Sequence, residues 1–216
     1  MIKLEWKIIL QPHPRENNNN EQHSVFGVFF IFIALSIALA AIVSEIASLN
    51  KVPLYYYVII WIGSFAVTFF SLFHNKSNLI YALQSRMKNS LRWSTNTKVL
   101  NGVCWAGPFA TIGIFPSLLP YLVLVGIGLG NISTYLLLKR YNGISSHEQL
   151  IVGLVSLAAI PVTFEVHSSI VVTRGEIAIM LSRILVSLAY AAGGIYAINT
   201  KNNQKGSVFS LWFKQV

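Results

Sequence analysis

Six apolar runs, separated by short polar breaks, partition this chain at residues 24–49, 54–73, 99–115, 121–138, 149–172 and 176–198. About twenty apolar residues suffice to cross a hydrocarbon core roughly 30 Å thick at 1.5 Å rise per residue. The pattern therefore predicts an all-α fold, a polytopic transmembrane helix bundle of about six spans. The run at 99–115 is the shortest, and Gly107-Pro108 inside it predicts a kink, because proline removes a backbone donor and clashes with the preceding turn. Two arrangements fit this run. It forms a bent hairpin with the next one through Pro116-Ser117, or it is a re-entrant segment that reverses everything downstream.

Charge selects between them. With the amino terminus in the cytoplasm, the inner breaks hold Lys3, Lys7, Arg15, Lys76, Arg86, Lys88, Arg92, Lys98, Lys139, Arg140, Lys201, Lys205 and Lys214, which is 13 of the 16 basic residues. Outer breaks hold Lys51 and Arg174, and Arg183 falls inside a run. Basic residues flanking spans stay on the cytoplasmic side, so the asymmetry predicts six spans with both termini cytoplasmic. The resulting organisation is an inner segment 1–23, a transmembrane domain 24–198 with a basic cytoplasmic loop 74–98, and a tail 199–216. The expected location is the cell membrane, as a multi-pass protein. The first run exceeds the 7–15 apolar residues of a signal-peptide core and follows a polar extension, so it reads as a span.

Composition agrees with this class: 11% of residues are charged and 54% are hydrophobic, against about a quarter charged in soluble domains. The net charge of +9 is spread over membrane-flanking loops rather than gathered on one basic face. The expected partner is therefore the lipid bilayer, and nucleic acid is not. In 76–93, Leu79, Ile80, Leu83, Met87 and Leu91 recur at helical steps with Arg86, Lys88 and Arg92 between them. Those three cations are the expected headgroup contacts of an amphipathic helix on the inner leaflet; an ordinary loop is the alternative. Residues 1–10 alternate like a short strand or a membrane-skimming segment, Pro12, Pro14 and the asparagines at 17–20 read as a tether, and Trp212 and Phe213 as an interfacial contact.

Three ionisable residues inside the runs carry the sharpest site expectation. Glu165 and Arg183 are equidistant from Arg174, so a tight hairpin brings them to one depth. An isolated charge there costs about 3 kcal/mol on insertion scales, and pairing offsets that. Glu45 lies at a similar depth in the first run, on a seam with Gly27, Ile31, Ala34, Ala38 and Ala41 whose small side chains admit a neighbouring helix closely. Ser187 and Tyr190 share the Arg183 face and complete the candidate cluster. Two carboxylates around one guanidinium leave an excess negative charge, which points to a proton- or cation-linked polar site open to the outside. The alternative is a Glu165–Arg183 lock on a hairpin, with Glu45 wetted from the surface.

Other features are structural in expectation. Gly126 and Gly130 form a small-xxx-small packing seam, with Gly128 between them. Asn131, Ser133, Thr134 and Tyr135 either line a polar cavity or hydrogen-bond neighbouring helices, and Tyr55, Tyr56 and Tyr57 read as an aromatic belt. His167 lies two residues from Glu165 and so points elsewhere. Asp is absent and Cys104 is the single cysteine, so no metal site or cofactor is implied. Cys104 lies toward the inner face while His167 and Arg183 lie toward the outer face, which splits any Cys–His–Arg catalytic arrangement. The leading expectation is a non-catalytic membrane subunit or scaffold that packs against other membrane subunits or its own copies. A small transporter or substrate-binding membrane subunit is the runner-up, an intramembrane enzyme the third class.

Overall fold

The computed structural model describes residues 15–53, 55–73, 84, 93–168 and 175–212. Among these residues every regular element is helical: α1 (Arg15–Leu49), α2 (Tyr55–Phe73), α3 (Thr95–Ile114), a single 3-10 turn at Pro116–Leu118, α4 (Leu119–Asn142), α5 (His147–Ala158), α6 (Ile160–Ser168) and α7 (Gly175–Trp212). Four stretches are long and apolar enough to cross a membrane: Phe26–Leu49, Pro116–Asn142, His147–Ser168 and Ile177–Thr200, while Tyr55–Ser71 is a shorter apolar helix. A membrane protein is the class these helices fit. Arg86, Lys88 and Arg92, the segment 1–10 with Pro12 and Pro14, and Phe213 lie outside the described residues.

Local chemistry explains the boundaries. α1 starts at Arg15, directly after Pro14, and takes in the asparagines at 17–20 that the sequence suggested as a tether. No proline or glycine interrupts that stretch. Its far end closes with Lys51 N–H on the Ser48 carbonyl at 2.9 Å and Val52 N–H on the Ala47 carbonyl at 3.0 Å. This is a Schellman closure with Lys51, at φ 54, in the left-handed place that glycine usually takes. At the other end of the bundle Gly143, at φ 65, ends α4. Pro108 remains inside α3, whereas the fifth run breaks at Ala159. Pro161 cannot donate to the Leu157 carbonyl, so that helix is resumed as α6 rather than continued.

Packing divides these rods into a core and two outriggers. α1, α4, α5–α6 and α7 surround a cluster of Phe30, Ala34, Ile37, Leu124, Val152, Ala159, Val186, Ala189 and Tyr190. α2 packs on α1, and α3 packs on α4. The most extensive contact joins α1 and α7, which run antiparallel: Gly27 meets Gly194, while Ala34 meets Ser187. A Cβ on Gly194 would stand 2.8 Å from the Gly27 carbonyl and 2.9 Å from Ile31. The backbones touch. On α4 the glycines serve two neighbours: a Cβ on Gly126 would strike Phe109 and one on Gly130 the Trp105 ring, both on α3, whereas Gly128 faces Leu157 and the Gly153 carbonyl on α5.

These approaches predict which glycines carry stability. Gly194→Val should lower bundle stability by about 1–3 kcal/mol, because backbone on the facing helix cannot yield as a side chain can. Gly113→Ala, where a Cβ meets nothing within 4 Å, should not lower it and should raise it by up to about 1 kcal/mol, alanine being the better helix former. Denaturant titration of the two variants in mixed micelles reads the difference.

Candidate functional site

The charged residues of the bundle are ordered by helix register. Phe29 on α1 meets Phe69 on α2 at 5.7 Å between ring centroids, which fixes an antiparallel pair and puts Trp61 at the depth of Ile37. The Ala34–Ser187 contact likewise puts Arg183 opposite Ala38. Trp61 and Arg183 therefore share one depth. The guanidinium lies over the Trp61 ring, 5.5 Å from its centroid. This depth is about 9 Å inside the Ile177 end of its apolar stretch at 1.5 Å per residue.

Glu45 supplies the opposite charge. It continues the α1 seam that meets α7, at a depth about 10 Å nearer the α1–α2 turn than Arg183. An arginine side chain on α7 leans toward the amino-terminal end of its own helix, which is the end where Glu45 lies. The Glu45 carboxylate on α1 lies near enough to favour the charged guanidinium through space, and the Tyr57 phenol of α2 stands near it as well. All three residues, like Trp61, are half-buried. A guanidinium held this way buries its stem, stacks its face and keeps its charge near polar partners, which together offset the few kcal/mol that an isolated cation costs within the membrane.

The remaining members of the expected cluster stand elsewhere. Glu165 is exposed on α6, and its carbonyl accepts the Ser168 hydroxyl at 3.1 Å. Ser187 donates to the Ala34 carbonyl at 2.8 Å and so joins α7 to α1. Tyr190, 5% exposed, packs edge-on against Phe30 at 5.5 Å and accepts a long contact from Asn131 Nδ2 at 3.4 Å. Ala34 and Ala41 are buried, and Ala38 is half-buried. Cys104 is half-buried on α3, while the exposed His167 lies beside the Tyr121 ring at 5.7 Å.

The polar residues of α4 are used in helix contacts. Ser133 donates to Asn101 Oδ1 at 2.8 Å, Trp105 Nε1 donates to Thr134 Oγ1 at 3.1 Å, and Asn131 Nδ2 donates to the Ile127 carbonyl at 2.9 Å. At the α4–α5 end, Trp93 Nε1 donates to Asn142 Oδ1 at 2.8 Å and Ser94 caps α3 through the Thr97 amide at 3.3 Å. One acid escaped the sequence reading: Glu148, only 1% exposed in the first turn of α5. Its signal was its place beside Ser146, where an acid faces the amino-terminal dipole of a helix.

No protein-family model, no curated protein and no solved structure matches this chain. The functional reading therefore rests on the geometry. A double-mutant cycle tests the charge assignment: Glu45→Gln and Arg183→Gln should show a coupling energy of about 0.5–3 kcal/mol, the range for interacting pairs. Glu165→Gln with Arg183→Gln should show coupling near zero. Stability measured in bicelles for the singles and doubles decides between them.

Proposed function

We propose that the chain is a six-span, multi-pass protein of the cell membrane with both termini in the cytoplasm, acting as a non-catalytic membrane subunit or scaffold. The observation that carries this reading is the outer face of α2. Val58, Ile62 and Phe70 are 59%, 65% and 72% exposed on an apolar rod that packs at the edge of the core. α3 repeats the pattern with Val99, Leu100 and Val103. Such faces suit lipid and neighbouring membrane helices. Meanwhile the core is joined by backbone approaches and interhelical hydrogen bonds, the means by which membrane helices associate.

The described cations support this orientation. Lys98, Lys139 and Arg140 lie at the α4–α5 end, and Lys51 lies at the opposite end. By the positive-inside rule the α4–α5 end is the cytoplasmic one in this reading, with the Glu45–Arg183 group toward the outside. That group favours a second reading, a substrate-binding membrane subunit. The partners in the first reading are other membrane subunits or further copies of this chain, beside the bilayer itself.

Topology is tested by single cysteines in a Cys104→Ala background. Lys51→Cys and Ser117→Cys should react with a membrane-impermeant maleimide added outside intact cells, and Gly143→Cys only after permeabilisation. Labelling of Gly143→Cys in intact cells would overturn the orientation. The scaffold role is tested with a photo-crosslinking residue at Ile62 or Phe70, which should give a protein adduct of discrete mass. Adducts to lipid alone, together with solute uptake by proteoliposomes holding only this chain, would overturn it in favour of transport.

A further inference from the structure

The α4–α5 end of the bundle gathers exposed cations at the start of α3. A helix opens on a partial positive charge, so acids suit its first turn and lysine does not. α3 reverses this, because its first turn holds Lys98 and no acid. Two contacts bring the last turn of α4 to the same place. The buried Trp93 donates from Nε1 to Asn142 Oδ1 at 2.8 Å, and the Thr97 hydroxyl donates to the Tyr141 phenol at 3.3 Å. The Arg140 guanidinium lies over the Tyr141 ring, 5.8 Å from its centroid, and Lys139 Nζ lies over the Tyr135 ring at 5.8 Å. Lys98, Lys139 and Arg140 are all exposed. They lie near the Asn142 end of the apolar stretch Pro116–Asn142, the level at which headgroups meet a membrane-spanning helix.

Lys139 and Arg140 suit the negative pole at the end of α4. Lys98 has no such account, since it adds a positive charge to a positive pole. Among the described residues, α3, α4 and α5 expose no acid at this end: Glu148 is buried, while Glu16 and Glu21 belong to α1, which packs on α2 and α7. Immediately beside Lys98, toward the middle of the bundle, Val99, Leu100 and Val103 are each more than half exposed. An anion that carries hydrocarbon matches both surfaces; a free anion matches only the first. We infer that this end of α3 and α4 binds an anionic phospholipid, with the phosphate between Lys98 and Arg140 and the acyl chains along Val99, Leu100 and Val103. The guanidinium fork takes phosphate oxygens in pairs, and Lys139 adds to the positive field on the α5 side. The inference rests on the membrane placement proposed above and is independent of the scaffold role.

The test uses the full chain, delipidated in detergent, with three probes: dioleoylphosphatidylglycerol, dioleoylphosphatidylcholine and water-soluble glycerol 3-phosphate. Phosphatidylglycerol should bind about tenfold or more tightly than either of the others, a tenfold step being one unit of log Kd. Lys98→Gln and Arg140→Gln should each weaken that binding about fivefold, the effect of one basic group at an anionic surface. Lys51→Gln, at the opposite end, should leave it unchanged. Lys98→Glu separates binding from folding, because it places an acid where the α3 dipole favours one. Its thermal stability should hold or rise while its binding falls about tenfold or more. Equal binding of phosphatidylcholine overturns the charge match, and equal binding of glycerol 3-phosphate overturns the lipid in favour of a free anion. Affinity unchanged in Lys98→Glu, or lowered as much by Lys51→Gln, overturns the site. Failure of the membrane placement itself is read separately, as recovery of the chain in the soluble fraction without detergent.

Discussion

The contact on which the rest of the bundle depends is the backbone approach of α1 and α7 at Gly27 and Gly194. In a membrane the surrounding lipid is as apolar as leucine, so helices gain from shape and hydrogen bonding rather than from escaping water. Gly27 and Gly194 let two carbonyl-bearing backbones meet, and the Ser187 hydroxyl on the Ala34 carbonyl pins the same pair two turns away. These contacts fix one antiparallel register. Every statement about which charged residues share a depth descends from it.

That register places a cation where its solvation must be rebuilt by the protein. Arg183 lies opposite Ala38, which offers no polar group, so the partners come from α2 and from farther along α1. The α1–α2 connection must therefore be short and well defined. The Schellman closure at Lys51 supplies this, turning the chain within the few residues between Leu49 and Tyr55. A loose turn there would let α2 slide, and Trp61 would lose its place over the guanidinium. The left-handed Lys51 is a locally disfavoured choice at the position that sets the α2 register.

Much of the architecture was legible in the sequence because it depends on composition and period. Each of the six apolar runs contains helix in the structure, and the α1 seam of Gly27, Ile31 and Ala34 faces α7. What the sequence could not supply was rotation and relative sliding between helices. Symmetry about Arg174 suggested that Glu165 would meet Arg183, but the break at Ala159 and Pro161 separates the α6 rotation from that of α5. Glu165 consequently stands exposed while Thr163 is buried. Ser187 and Tyr190 lie on the Arg183 side of α7 by spacing alone, yet one bonds a backbone carbonyl and the other packs on Phe30. Glu148 was missed for the converse reason, since an acid at the edge of an apolar run looks solvated until the α7 backbone at Gly193 is seen to lie against it.

Rigidity and openness are therefore assigned to different layers of one molecule. Toward the α4–α5 end, the hydroxyls and amides of Asn101, Asn131, Ser133 and Thr134 engage partners within or between helices, and glycines bring α4 against both α3 and α5. Bonds of this kind resist rearrangement, because a polar group released into an apolar interior costs more than its bond contributes when formed. Toward the α1–α2 end, four half-buried side chains from three helices, Glu45, Tyr57, Trp61 and Arg183, gather around one guanidinium. The Trp61 face and the through-space charge of Glu45 leave the guanidinium half exposed, so this layer can exchange contacts with its surroundings at less cost than the hydrogen-bonded layer can.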